Sequence, residues 1–171
     1  RGSELRDVHF QDLDALGFMH EDCRVSDCTY VDCELGMNFT RARLERCFFL
    51  HQKDRFSPSI ELASLTDVKF EGFKDLSFFS PKRAVLERVR IERSEIDNVK
   101  FNQCQLSDFV LKDCKATWWK VKRSQVRGLR FEPPDSEETY GNEVYRAKFQ
   151  QSELEDCDFS GAQLSTTVFY E

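Results

Sequence analysis

Apolar residues recur at every fifth position through the middle of the chain, between residues 84 and 131. The count is kept by Leu86, Ile91, Ile96, Phe101, Leu106, Leu111, Ala116, Val121, Val126 and Phe131. A second and mostly smaller residue stands two positions before each of them, as Ala84 and Cys104 do. Helices repeat their apolar positions about every 3.6 residues and strands every second residue, so neither regular element explains a period of five.

A coil with four five-residue sides does explain this period. Each side turns its central residue and the smaller residue two positions earlier toward the interior. Residues twenty apart then stack about 4.8 Å from each other, as paired strands do. We therefore predict that Leu86, Leu106 and Val126 form one interior ladder, and by the same count Ile91, Leu111 and Phe131 form a second.

The count extends toward the amino terminus with two irregularities. One residue is lost between Leu35 and Phe39. Between residues 11 and 22 the count blurs, because Leu13 and Phe18 keep a five-residue spacing of their own that is offset from the residues that follow. This offset predicts an irregular corner in the first coil.

Three segments interrupt the count and are predicted loops, at residues 51–59, 72–83 and 132–145. The first and last are rich in the proline, glycine and polar residues that are typical of loops. The second contains apolar side chains, including Phe78 and Phe79, which fit either packing against the coil or contact with a partner. Loops carried on a rigid frame are common sites of specificity.

One repeat domain accounts for residues 1–171. The chain begins Arg-Gly-Ser without a methionine, so it is expected to be either the whole protein or a piece of a longer one. No apolar run approaches the roughly 18 residues of a membrane span, and no signal peptide is recognisable, so we expect a soluble protein.

The seven cysteines all stand two positions before a central apolar residue, which is the small inward slot. We expect free, buried thiols in a reducing compartment, with Cys28 and Cys47 on neighbouring coils. Aspartate precedes cysteine five times in the chain. Since aspartate hydrogen-bonds readily to nearby backbone, these five side chains are expected to shape the turns.

The segment AKFQQSELEDCDFSGAQLSTTVF resembles the pentapeptide-repeat proteins. The resemblance covers most of the chain and implies an all-β fold, a right-handed quadrilateral parallel β-helix of about seven coils. The repeat itself carries structure and no chemistry. Several large residues in the small slot, such as Phe109 and Trp119, depart from the family pattern and suggest a distorted coil.

Catalytic motifs are missing from the sequence. The three histidines form no recognisable catalytic arrangement, and neither an HExxH nor a glycine-rich phosphate-binding motif occurs. We therefore expect no enzymatic activity, no metal and no cofactor.

Basic and acidic residues are distributed unevenly along the chain. Residues 82–130 contain 13 basic and 6 acidic residues, a balance of +7, whereas the other residues contain 12 and 25, a balance of −13, which together give the net charge of −6. The twenty-residue stacking gathers basic side chains on one wall. They are Lys82, Arg83, Lys100, Lys120, Lys122 and Arg123, next to Trp118. This stripe is either a solvated face or a docking patch, because arginine and aromatic side chains are common interface anchors.

The sequence favours a non-enzymatic protein–protein interaction scaffold, standing alone or as a domain of a bacterial effector-like protein. The partner-binding candidates are the basic stripe with Trp118, together with Phe78, Phe79 and Tyr140. The family resemblance implies an alternative, a DNA mimic that binds DNA gyrase and protects or inhibits it. We expect a protein partner, neither direct nucleic-acid binding nor membrane binding, and a location in the bacterial cytoplasm or, for an effector, in a host cell.

Overall fold

The computed structural model describes residues 2–15, 20–35, 38–51, 58–76, 79–135 and 141–170. In these ranges the chain forms 25 short β-strands and no helix. Each strand pairs in parallel with the strand one turn away, which gives a four-sided β-solenoid of about seven turns. The predicted right-handed quadrilateral β-helix is confirmed. No helix long and apolar enough to cross a membrane occurs in the described ranges.

The strands form four walls. The first wall contains β1 (Glu4–Arg6), β4 (Arg24–Ser26), β7 (Arg43–Glu45), β9 (Ser64–Thr66), β11 (Val85–Glu87), β15 (Gln105–Ser107), β19 (Gln125–Arg127) and β23 (Glu153–Glu155). The second contains β2 (His9–Gln11), β5 (Thr29–Val31), β8 (Phe48–Leu50), β10 (Lys69–Glu71), β12 (Arg90–Glu92), β16 (Val110–Lys112) and β20 (Arg130–Glu132). The third contains two separate sheets, one of β3 (Asp14–Ala15) and β6 (Glu34–Leu35) and the other of β13 (Glu95–Asp97), β17 (Lys115–Thr117), β21 (Asn142–Tyr145) and β24 (Ala162–Ser165). The fourth contains β14 (Lys100–Asn102), β18 (Lys120–Lys122), β22 (Lys148–Gln150) and β25 (Val168–Tyr170).

The central residue of each side points inward and stacks on its counterparts. Both predicted ladders are confirmed, because the register sets Leu86 against Leu106 and then Val126, and it sets Ile91 against Leu111 and then Phe131. In the amino-terminal turns of the second wall the ladder is aromatic. Tyr30 stacks on Phe49 with ring centroids 4.8 Å apart, and Phe49 stacks on Phe70 at 5.1 Å. The interior is therefore a continuous narrow column of apolar side chains.

The small inward slot also carries hydrogen bonds between coils. The Ser94 hydroxyl accepts a hydrogen bond from the Phe73 amide at 3.1 Å, and the Ser124 hydroxyl accepts one from the Cys104 amide at 3.0 Å. Both serines are buried. Five cysteines in this slot are buried and two are half-buried, and all seven are free thiols. Cys28 and Cys47 lie on neighbouring coils as predicted, since the residues that follow them, Thr29 and Phe48, are paired.

The corners hold residues in the left-handed backbone region, with φ between 45° and 58° for the non-glycine residues. This region favours aspartate and asparagine among non-glycine residues, because their short polar side chains can bond to nearby backbone. All five aspartates that precede a cysteine take this conformation: Asp22, Asp27, Asp32, Asp113 and Asp156. Their predicted role in shaping the turns agrees with this backbone geometry.

In the described residues 11–15 and 20–22 the first coil keeps the five-residue count, so the predicted offset is wrong there, and residues 16–19 lie outside the described ranges. Ala15 pairs with Leu35, and the His20 amide donates to the Asn38 carbonyl at 3.0 Å. His20 thus takes a central inward position, and its ring stacks on Phe39 with centroids 5.6 Å apart. Ala15 and His20 occupy central positions but are not large apolar residues, so the five-residue count is hard to see in the sequence. Leu13 is apolar but occupies the small slot, which made the count look offset. Phe18 lies outside the described residues.

Two of the predicted loops add little length to the coil. Arg43 pairs with Ser64, and Ser64 pairs with Val85. In each pair the partner lies only one position beyond the place that a regular turn would give it, so each turn that contains one of these segments is one residue longer than a regular turn. Residues 52–57 of the first segment and 77–78 of the second lie outside the described ranges. In the described part of the second segment Phe73, Leu76 and Phe79 are buried, so these residues pack against the coil.

The third predicted loop is a true insertion. Lys115 pairs with Glu143, which makes this an eight-residue insertion relative to a regular turn. The extra residues lie between β20 and β21 and include residues 136–140, which are outside the described ranges.

An ion-pair network covers part of the second wall. Glu71 and Glu92 point outward from β10 and β12, yet each is less than a tenth exposed. Lys69 lies 2.6 Å from Glu71 and 2.8 Å from Glu92, and Arg90 lies 2.8 Å from Glu92. Arg93 also contacts Glu71. Because the basic side chains lie over the carboxylates, the network closes this wall against water.

The Glu92→Gln substitution should cost about 2 kcal/mol of stability at pH 7, because it removes the buried carboxylate that Lys69 and Arg90 share, and Lys69 is then left with Glu71 alone. Burial raises the pKa of Glu92, but hydrogen bonds from Lys69 and Arg90 outweigh it and hold the pKa below its ordinary value of 4.5. A carboxylate with a lowered folded-state pKa stabilises the fold above its unfolded-state pKa. The difference between wild type and variant should therefore shrink as the pH falls below about 4.5.

Urea unfolding at pH 7 and at pH 3.5 measures this difference. The Glu4→Gln variant is the control, because Glu4 is exposed at the amino-terminal end of the first wall. A Glu92→Gln penalty that is equal at both pH values would contradict the prediction.

Candidate functional site: the basic fourth wall

Three lysines stack in register on the outside of the fourth wall. Lys100 in β14 is paired with Lys120 in β18, which is paired with Lys148 in β22. Each lysine immediately precedes the central inward residue of its strand, so all three side chains leave the same side of the wall. We call Lys100, Lys120 and Lys148 the lysine column.

Among the described residues, no carboxylate forms an ion pair with the lysine column, although ion pairs are frequent elsewhere on the chain, including the network of the second wall. Like charges directly opposite each other on neighbouring strands destabilise a sheet. The lysine column therefore imposes an electrostatic cost on the fold that no ion pair in the described ranges offsets.

A second set of outward side chains lies beside the lysine column, on the side nearer the first wall. Lys122 is paired with Asn102 and belongs to the same strand as Lys120. At the corner, the Arg123 guanidinium donates to the Gln151 side chain at 3.2 Å, and the Arg83 guanidinium donates to the Gln103 side chain at 3.4 Å. Neutral amides thus separate the corner cations, whereas the cations of the lysine column directly adjoin one another.

An aromatic edge borders the wall on the opposite side. Trp118 is 52% exposed at the corner between the third and fourth walls, and the Arg146 guanidinium lies 4.2 Å from its ring centre. Tyr145 is also exposed and precedes Arg146 in the chain. Arginine over a tryptophan face is a favourable cation–π arrangement. The edge therefore presents a large apolar surface with positive charge beside the lysine column.

The structure brings together most of the predicted partner-binding residues. They are Lys100, Lys120, Lys122, Arg83, Arg123 and Trp118, which lie on or beside the fourth wall.

The other four predicted residues are ion-paired, buried or outside the described residues. Lys82 lies on this wall but is paired with Glu61 at 3.0 Å, so its charge is balanced. Phe79 is fully buried and packs edge-on against Phe70 and Phe101, so it cannot contact a partner directly. Phe78 and Tyr140 lie outside the described residues.

Sequence reasoning missed Lys148, Arg146 and Tyr145. These residues follow the insertion, so counting in twenties from Lys120 does not reach Lys148. A count that allowed for the length of the insertion would have placed Lys148 beside Lys120, as the strand pairing does.

A shallow open depression of about 810 Å³ lies on the third wall. Its charged lining is balanced, with Lys74, Arg93 and Lys115 against Glu95, Asp113 and Glu143. No group of three or more potential metal ligands occurs in the part of the chain that the structure describes. The fourth wall, where charge is unbalanced, is therefore the stronger candidate site.

The strand pairing defines the class of protein as a parallel β-solenoid, consistent with a pentapeptide-repeat protein. No protein-family model and no curated protein matches the sequence. One similar solved structure is QnrB1, a plasmid-mediated fluoroquinolone resistance protein, with 13% identity and a TM-score of 0.43 over 98% of this chain and 91% of that chain. Another is HetL, a pentapeptide-repeat protein involved in heterocyst differentiation regulation in the cyanobacterium Nostoc, with 10% identity and a TM-score of 0.40 over 92% and 87%. At these scores the likenesses carry no argument about function.

Proposed function

We propose that this protein is a non-enzymatic protein–protein interaction scaffold whose fourth wall binds an acidic surface of a partner. The observation that supports this most directly is the lysine column, three adjoining cations without a carboxylate partner among the described residues. Such a column costs stability in the free protein, and an acidic partner would turn this repulsion into attraction.

The fold supports the same proposal through its rigidity. Every strand of the fourth wall is hydrogen-bonded to the neighbouring turn, and the central residues below it, such as Phe101 and Val121, are buried. A rigid wall loses little conformational entropy on binding. The exposed Trp118 adds the kind of aromatic side chain that often dominates binding energy at an interface.

Charge reversal on the lysine column tests this proposal. The variant with Lys120→Glu and Lys148→Glu should recover at least about tenfold less of its partners from a lysate, because two of the three cations of the column are replaced by carboxylates that repel an acidic surface. The matched control carries Arg24→Glu and Arg43→Glu, two exposed arginines that are paired on the first wall. Circular dichroism verifies that both variants are folded. Equal recovery of the same proteins by wild type and both variants would overturn the proposal.

A second candidate function is a DNA mimic that binds DNA gyrase. The excess of acidic residues outside residues 82–130 and the eight-residue insertion favour it. The basic fourth wall is evidence against a DNA mimic, since a mimic of DNA presents negative charge. A gyrase supercoiling assay with and without a quinolone tests it. Protection or inhibition of gyrase would support this function, and the absence of any effect at micromolar protein would rule it out.

A further inference from the structure

The spacing of the lysine column constrains the shape of its partner. Neighbouring strands lie about 4.8 Å apart, so Lys100 and Lys148 are separated by two steps, or about 9.6 Å. Along an α-helix, residues i and i+7 lie on one face about 10.5 Å apart, with residue i+3 or i+4 between them. The spacing of the three lysines and the spacing of same-face helix residues therefore agree to within about 1 Å.

An extended strand fits the column less well. Its same-face residues are about 6.7 Å apart, so three of them span about 13 Å. The first and last carboxylates would then overshoot the lysine column by roughly 3 Å, about the length of one strand residue. Binding across the column would require lysine side chains to splay apart.

The width of the fourth wall suits a single helix. Three strand residues at about 3.3 Å each make a surface about 10 Å wide, which is close to the roughly 10–12 Å diameter of a helix with its side chains. Arg123 borders this surface at one corner and Trp118 with Arg146 at the other. The lysine column lies on the Trp118 side of this surface, so a helix laid along the solenoid axis would contact the three lysines and reach the Trp118 ring with its flank.

We propose that the fourth wall binds an acidic α-helix of a partner protein, aligned with the solenoid axis. Carboxylates at helix positions i, i+3 or i+4, and i+7 face Lys100, Lys120 and Lys148 in turn. This inference rests on the proposed function and adds the shape and charge pattern of the partner to it. Trp118 packs against apolar side chains on the flank of the bound helix.

Two isomeric peptides test this inference. Both are fluorescein-labelled and alanine-rich, with the same number of glutamates and a common length of about 20 residues, which is enough for a helix of several turns. In the first the glutamates follow the i, i+3, i+7 pattern on one face, and in the second they are spread around the helix. Fluorescence anisotropy gives the affinities, and circular dichroism reports helix formation on binding.

The one-face peptide should bind at least about tenfold more tightly than its isomer and gain helicity, because only its carboxylates meet all three lysines at once. The variant with Lys120→Glu and Lys148→Glu should lose this binding, whereas the variant with Arg24→Glu and Arg43→Glu should keep it. Equal affinities for the two peptides would overturn the helix inference and leave acidic docking in place.

Other outcomes separate the inference from the proposed function. If neither peptide binds, the inference is wrong, and the capture experiment with the same variants decides the proposed function independently. An oligo-dT probe that binds more tightly than both peptides, and only with the lysine column intact, would identify a nucleic-acid-binding wall and overturn both.

Discussion

The Phe49→Ala substitution should lower the free energy of unfolding by about 3–5 kcal/mol, the usual penalty for deleting a buried phenylalanine ring. Phe49 is fully buried and stacks between Tyr30 and Phe70. Because the interior column is narrow and its neighbours are fixed by strand pairing, little collapse around the vacated space is possible. Urea unfolding followed by circular dichroism measures the change.

Phe48→Ala is the matched control, because Phe48 is the preceding residue and points to the outside of the same strand, where it is 42% exposed. This variant should change stability by less than about 1 kcal/mol. Similar penalties for Phe48→Ala and Phe49→Ala would contradict the assignment of central residues to the interior.

The Asn142→Ala substitution should destabilise the protein by about 3 kcal/mol, because it leaves several buried backbone groups without a partner. The Asn142 side chain accepts a hydrogen bond from the Cys114 amide at 3.0 Å. It donates to the carbonyls of Glu132 at 2.7 Å and Gly161 at 3.2 Å. This one amide therefore joins three successive turns and closes the neck of the eight-residue insertion.

Glycine is required at position 161, since a Cβ atom there would clash with the Phe131 carbonyl oxygen. Thermal and urea unfolding measure the effect of Asn142→Ala, and limited proteolysis reports whether the insertion opens. Asn102→Ala is the control, because Asn102 points outward on the fourth wall. A loss below about 0.5 kcal/mol for Asn142→Ala would refute the proposed role of this side chain.

The repeat in the sequence was sufficient to predict the fold. Ten apolar residues in step between Leu86 and Phe131 fit a four-sided coil, and the interior ladders follow by counting alone. The one-residue deletion before Phe39 was also predicted, and the pairing of Arg24 with Arg43 confirms it. Interior position depends on periodicity, which a single sequence displays directly.

Features that depend on side chains from different turns were harder to predict. The central position of His20 was missed because histidine and alanine break the apolar pattern without changing the backbone. The burial of Glu92 was missed because it arises from long basic side chains of its own and neighbouring strands that lie over it. Counting in fives places a residue on a wall but does not show which neighbours cover it.

The candidate site was predicted in part, for the same reason. Lys100, Lys120 and Trp118 precede the insertion, so the count placed them correctly on the basic wall. Lys148 and Arg146 follow it, and only the strand pairing shows that they complete the column and its aromatic edge.

The parallel pairing of equivalent positions makes each regular turn a unit that could be removed or repeated without changing the register of the others. Excising residues 105–124 would set Leu86 against Val126 and Lys100 against Lys148, and the ladders on every wall would close again. Duplication of the same unit would add a lysine. Because each repeat contacts only its neighbours, gains and losses of this kind would change the number of lysines in the lysine column one at a time while preserving the fold.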